Sequence, residues 1–185
     1  MSVQLAFNLD ADEVVTARLK SEIRALFAEG GCPECDAYAM RIVDILPHEN
    51  EPRRFAYCHH YIRLYHREAA RFSPSAVHDV VILRQGTDAG RLNGRIHHHS
   101  VRSTGDQIAK FNRYTDEQVL EMELRSSTMP TWRLFTEFHM AFLKAFFGRR
   151  HCTRGAYGYV TAMNYAIFRY LRVAKHYERR RILRP

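Results

Sequence analysis

The chain predicts an α/β fold in which a mixed strand-and-helix part, residues 1–129, is followed by a purely helical extension, residues 130–185. Three observations lead there. Short runs rich in β-branched and aromatic residues recur between Val3 and Val101, separated by turn-forming stretches. Beyond Pro130 the apolar residues fall at helical spacing instead. Charge divides at the same place: residues 1–129 hold 16 Lys/Arg and 18 Asp/Glu, whereas residues 130–185 hold 12 and 2. All of the +8 excess therefore sits in the last third, which suits a segment facing anionic phosphate, whether lipid headgroup or nucleic acid.

Val3–Leu9 reads as a short buried strand that feeds an acidic turn, Asp10-Ala11-Asp12-Glu13. Thr16 is placed to cap a helix over Ala17–Glu29, whose apolar positions Leu19, Ile23, Leu26 and Phe27 share a face before Gly30-Gly31 stops it. Asp36–Ile45 suits a strand, and the polar, Pro-bounded stretch Pro47–Arg54 a loop. Tyr57–His66 and Ala76–Leu83 read as strands, Gln85–Gly94 as turn-rich, and Ile96–Val101 as a further short strand. Ser103 or Thr104 would cap a helix from about Asp106 to Leu124. In the extension, Trp132, Phe135, Phe138, Phe142 and Phe146 fall on one helical face that closes at Gly148, and a second helix covers about Tyr157 to Tyr177.

Composition narrows the class. With 46% hydrophobic and 12% aromatic residues, the chain can bury a core and is not disordered. Cys32, Cys35, Cys58 and Cys152 are too few for a disulfide framework at 185 residues, which makes a reducing cytoplasm the expected compartment. Met1–Leu9 lacks the basic start and long apolar stretch of a signal peptide. No run reaches the roughly 20 apolar residues of a spanning helix.

Five constellations could carry chemistry. Asp10 and Asp12, one residue apart at a strand end, could hold Mg²⁺ or Mn²⁺ and through it a diphosphate; alternatively the acidic turn favours the helix that follows. Asp79, beside His78, could be a general base for a hydroxyl or could cap a turn. Of His97-His98-His99, alternation lets only His98, or the pair His97 and His99, look into one site, as a metal ligand or as a solvated strand end. Cys32-Pro33-Glu34-Cys35 with Cys58-His59-His60 is zinc-like, although the second half is irregular. The aromatic face of the extension packs as core or lies in a membrane interface, where Arg149, Arg150, Arg154 and Arg179-Arg180-Arg181 would meet anionic lipid.

The order of these elements resembles the family 2 inverting glycosyltransferases, especially their bacterial lipopolysaccharide-core β-glucosyltransferase branch. That branch carries L-D-A-D-E before a helix of T-x-x-L-x-x-E-I type, matched here by Leu9–Glu13 and Thr16–Ile23. Ile62-Arg63-Leu64-Tyr65-His66-Arg67 is similar to its L-R-L-F strand, and Val77-His78-Asp79 to its V-H-E element. His98-His99-Ser100-Val101-Arg102-Ser103 follows its H-Y-S-Y-R-S element, and Asn112-Arg113-Tyr114-Thr115 its N-R-Y-S element. Arg169–Glu178 resembles its K-Y-A-K-x-x-E stretch. The likeness runs from about residue 5 to 178.

The resemblance implies the C-terminal part of a GT-A fold, without its N-terminal nucleotide-binding half, followed by the helical extension. It implies transfer of a sugar from a nucleotide-diphospho-sugar to a cell-envelope glycan or glycolipid with inversion. Asp12, Asp10 and His98 would gather a divalent metal, and Asp79 would be the catalytic base. The expected location is the inner face of the cell membrane, peripherally bound to its anionic surface, with no nucleic-acid partner. The chain by itself is expected to be inactive. The competing expectation is a basic nucleic-acid-binding module, with or without zinc.

Overall fold

The computed structural model, which describes residues 5–28, 34–72 and 81–182, builds the first part of the chain around a five-stranded mixed sheet. Its strands are β1 (Leu5–Phe7), β2 (Glu13–Val15), β3 (Ala37–Asp44), β4 (Cys58–His66) and β7 (Ala89–His98). They lie in the order β1-β4-β3-β7-β2, with β3 and β7 parallel and every other neighbouring pair antiparallel. A separate two-stranded ribbon joins β5 (Ala70–Phe72) to β6 (Val81–Leu83).

Period-two alternation in β3 sends Tyr38, Met40 and Ile42 to one face, where they meet Leu64 of β4 and Ile96 of β7. Helix α1 (Ala17–Leu26) closes that face by burying Leu19 completely. Full burial of a side chain such as Leu19, Met40 or Ile96 contributes about 1.5–3 kcal/mol, so these three residues supply much of what holds helix to sheet.

Helix α1 is bound to β7 by polar groups as well. Thr16 Oγ1 accepts from the Leu19 amide at 3.4 Å as an N-cap and donates to the Arg95 carbonyl at 2.8 Å. One turn later the Glu22 carboxylate accepts from the amides of Asn93 and Gly94, at 2.7 and 2.8 Å. Burial pushes the Glu22 carboxyl up, but these backbone donors and Arg18 outweigh it and hold it below its ordinary value.

Here the structure departs from the turn-rich stretch expected over Gln85–Gly94. A ten-residue strand runs through most of it. The glycines that suggested turns serve close approach instead: a Cβ on Gly94 would lie 2.4 Å from Leu19 Cα, and one on Gly90 would lie 2.9 Å from Tyr38 Cε1. The expected strand over Ala76–Leu83 is described only as β6, because residues 73–80 lie outside the described residues. Strands β2 and β5, three residues each, are additions to the expected order.

The chain divides into two compact units, Met1–Pro52 with Cys58–Ser100, and Arg53–Tyr57 with Val101–Pro185. The second unit is helical: α2 (Thr104–Leu124), α3 (Arg133–Leu143) and α4 (Gly155–Ile182), with a π-helical turn over Lys144–Gly148 and a 3-10 turn over His151–Arg154. The expected boundary at residue 129 follows the change in charge, whereas compactness follows packing. Helix α2, capped by Ser103, joins α4 through the buried bond from Asn164 Nδ2 to Gln107 Oε1 at 2.7 Å and through the Phe111–Phe168 ring pair at 4.7 Å. Lys175 Nζ adds bonds to Asn112 Oδ1, Thr115 Oγ1 and Asp116 Oδ1. Helix α3 is held to α4 by Glu137, which accepts from Arg133 on its own helix and from Arg169 at 2.8 Å.

Candidate functional site

The acidic turn is shaped by a buried ion pair. The Glu13 amide donates to the Asp10 carbonyl at 3.1 Å, and the Asp10 amide donates in return to Glu13 Oε2 at 3.1 Å. Arg63, from β4, gives Nη2 to Glu13 Oε1 and also to Asp10 Oδ2 at 3.1 Å. The three side chains differ in exposure: Glu13 is 1% exposed, Arg63 11% and Asp10 55%. Glu13 is therefore the acid that the fold buries, and Arg63 is the charge that makes its burial tolerable. Asp10, expected to look towards a metal, is turned to Arg63.

Asp12 points the other way. Its carbonyl accepts from the His99 amide at 2.8 Å, which fixes the turn against the end of β7. Its Oδ2 then lies 3.5 Å from His98 Nε2. The other ring nitrogen of His98, Nδ1, lies 2.8 Å from Asp44 Oδ1. Register explains the alignment: His98 faces Glu13 across β2 and β7 and stands beside Asp44 across parallel β3 and β7. Parallel strands bring their C-terminal ends to the same edge, so Asp44 and His98 arrive there together. Burial alone would lower the His98 imidazole. The hydrogen bond and charge of Asp44, with the charges of Asp12 and Glu13, outweigh burial and hold it above its ordinary value. His97, on the opposite face, is lowered by burial and by the neighbouring charges of His99 and Arg95, with Glu51 opposing.

The donor set fits a hard divalent cation in part. With Nδ1 committed to Asp44, His98 offers Nε2 to whatever lies between it and Asp12. Two cis ligands of an octahedral Mg²⁺ stand about 3 Å apart, close to the 3.5 Å seen here. Asp12 and His98 could thus hold such an ion, with substrate phosphate oxygens and water completing its shell. Among the described residues no group of three His, Cys, Asp or Glu side chains is arranged to hold a metal. Asp79, the expected base, lies outside the described residues.

Sequence reasoning missed three residues of this arrangement. Glu13 was read only as part of the acidic turn, and Arg63 only as a position in a strand motif. Asp44 went unnoticed, although a carboxylate at the C-terminal end of a strand beside another site-bearing strand is a usable signal. The zinc-like set is separated by register. Cys58 faces Val43 at one end of the β3–β4 pair, while Cys35 precedes Ala37 at the other. The interval is more than about 20 Å at the rise of a strand, too far for a shared ion; Cys32 lies outside the described residues.

The chain is similar in sequence to several known proteins. Over 175 residues the chain is 34% identical to an uncharacterized glycosyltransferase of Rickettsia felis, a match covering 91% of this chain and 62% of that protein. It is 33% identical to uncharacterized glycosyltransferases of Rickettsia prowazekii and Rickettsia conorii, again over 91% of the chain and over 60% and 62% of theirs. The chain thus spans about three fifths of the length of these curated relatives. No family model matches it, and no solved structure does. The chain is thus similar to part of proteins named glycosyltransferases.

Proposed function

We propose that the protein is a family 2 glycosyltransferase of GT-A type that moves a sugar from a nucleotide-diphospho-sugar to a cell-envelope glycan or glycolipid, with inversion. The observation that carries this reading is the meeting of Asp12 with His98 at the strand edge, beside an acidic turn that Arg63 holds in shape. Kinship to proteins named glycosyltransferases supports it independently.

Asp12 and His98 would hold Mg²⁺ or Mn²⁺, which supplies positive charge against the negative charge that develops on the departing diphosphate. Asp44 keeps the His98 ring oriented through Nδ1, leaving Nε2 directed at Asp12. Arg63 and Glu13 keep the backbone of the turn in place, and Asp10, half exposed beside Arg63, would order a donor hydroxyl. Asp79 would take the proton of the acceptor hydroxyl, which attacks the anomeric carbon opposite the diphosphate and so inverts its configuration. The protein would work peripherally at the inner face of the cell membrane, where a lipid-linked acceptor is presented.

Manganese binding followed by electron paramagnetic resonance tests the arrangement without requiring turnover. Asp12→Ala and His98→Ala should each weaken binding by about tenfold or more, and Asp44→Asn by about tenfold. Asp10→Asn should change it little. Unchanged binding in Asp12→Ala would overturn the assignment. By itself the chain should release no nucleoside diphosphate from a panel of nucleotide sugars, as the resemblance implies; release that is lost in Asp12→Ala would overturn that expectation.

A further inference from the structure

The aromatic stripe of the helical unit is divided in the structure. Phe142 and Phe146 stack at 5.3 Å and meet Tyr159 edge-on at 5.5 and 6.1 Å, so they belong to the packing against α4. Trp132, Phe135, Met140, Leu143 and Phe147 do not. They are between 48% and 76% exposed. Trp132 and Phe135 at the start of α3, and Met140, Leu143 and Phe147 at intervals of three and four along its end and the π-helical turn, make an exposed apolar ridge with His139, also exposed, between the two groups. Scattered apolar residues on a surface need no explanation, but five large exposed ones gathered on one short segment mark an interaction site.

Charge indicates the partner. The one acidic residue between Pro130 and Arg150 is Glu137, and it is turned inward, 8% exposed, onto Arg133 and Arg169. The exposed side of the same segment carries His139, Lys144 and Arg150. An apolar crest with cationic flanks and no exposed carboxylate matches the boundary of an anionic bilayer, with Trp132 suited to the headgroup level. Phe135, Met140 and Leu143 favour hydrocarbon over the stacked bases of a nucleic acid. No described helix is long and apolar enough to cross a membrane, so the contact is with the surface. Arg154, expected among the lipid-facing residues, is 3% exposed and unable to serve. Arg149 is engaged with Tyr165, its guanidinium 4.3 Å from the ring centroid.

We infer that the ridge of Trp132, Phe135, Met140, Leu143 and Phe147 docks the protein on an anionic lipid bilayer, with Lys144 and Arg150 against the headgroup phosphates. The inference gives a surface to the membrane location in the proposed function and rests on that reading. Its test needs neither donor nor acceptor, so its failure is distinct from a failure of glycosyl transfer.

Trp132 is the only tryptophan in the chain and serves as the probe. The protein is titrated with vesicles of phosphatidylcholine alone and with an equal part of phosphatidylglycerol. The expected result is a blue shift of Trp132 emission with the anionic vesicles and quenching by brominated lipid. Phe135→Ser with Leu143→Ser should weaken partition by about tenfold or more, with far-ultraviolet circular dichroism unchanged. Lys144→Gln with Arg150→Asn should weaken it by about fivefold per charge on anionic vesicles only. Asparagine is chosen at 150 because Arg150 stands at φ 57°, which that residue tolerates. Sedimentation with vesicles while Trp132 remains unshifted would overturn the inference, as would equal partition by the serine variant. A shift on self-association without lipid would assign the ridge to a second copy, and a shift only with RNA to nucleic acid; either result overturns it.

Discussion

Replacing Arg63 by methionine tests whether the acidic turn is built around Glu13. Arg63 Nη2 serves two carboxylates, but their surroundings differ: the Glu13 side chain is 1% exposed and that of Asp10 is 55% exposed. Removing the guanidinium strands the Glu13 charge in the interior, which typically costs about 3–5 kcal/mol. The bond to exposed Asp10 is worth at most about 1 kcal/mol. Arg63→Met should therefore destabilise the sheet unit by about 3–5 kcal/mol, Asp10→Asn by less than 1, and Arg63→Met combined with Glu13→Met should recover most of the loss. Tryptophan fluorescence is the wrong readout, because Trp132 lies in the helical unit. Native-state hydrogen exchange at Val43, Leu64 and Ile96 reports on the sheet instead. If Arg63→Met and Asp10→Asn lower protection equally, or the double variant is no better than Arg63→Met, the buried pair does not organise the turn.

Two further predictions concern packing, one in each unit. Gly94→Ala should cost more than about 2 kcal/mol by the same exchange measurement, because the new methyl would meet backbone atoms of Leu19, which cannot swing aside. Glu137→Gln should destabilise the helical unit by about 3 kcal/mol or more at pH 7, measured by urea unfolding at 222 nm, because Arg133 and Arg169 lose the charge they share. Burial pushes the Glu137 carboxyl up, but its bonds to Arg133 and Arg169 outweigh this and hold it below 4.5. Its stabilisation is thus complete above pH 4.5 and is lost as pH falls through the lower folded value, so the gap between wild type and Glu137→Gln should close in acid. A gap independent of pH would show that the carboxylate charge is not what binds the helices.

The parts of the fold that were legible in the sequence are those where one local rule was sufficient. Thr16 and Ser103 cap the helices their positions implied, and β3 and β4 follow their β-branched and aromatic runs. Strand β7 was obscured because glycine signals a turn when only neighbouring residues are considered. At Gly90 and Gly94 the cause is a contact with Tyr38 and with Leu19, both far away in sequence. The aromatic stripe was legible only in part, for a related reason. Helical periodicity identifies residues that share a face but not which of them a partner helix covers, and α4 covers Phe142 and Phe146 while leaving Trp132 and Phe135 exposed.

Of the candidate site, sequence spacing pointed to Asp10 and Asp12 and the family resemblance to His98, but neither could say how they divide. The division follows from two counter-charges supplied by separate strands. Arg63 of β4 takes Asp10 and Glu13, whereas Asp44 of β3 takes the far nitrogen of His98 and leaves the near one facing Asp12. Two pairs of the elements quoted from the sequence prove to be partners of one another, and a further element is bound to β7. The Leu9–Glu13 turn is held by Arg63 of the Ile62–Arg67 strand, and the Thr16–Ile23 helix by the amides of Asn93 and Gly94. Lys175, of the Arg169–Glu178 stretch, binds Asn112 and Thr115 of the Asn112–Thr115 element. Several of the motif residues are therefore scaffold: Glu13, Arg63 and Lys175 each satisfy another motif's polar groups, and Glu22 satisfies two amides of β7. Asp12 and His98 differ from these, because at 3.5 Å across a solvent-reachable edge they are close enough to share a cation but too far apart for a good direct hydrogen bond.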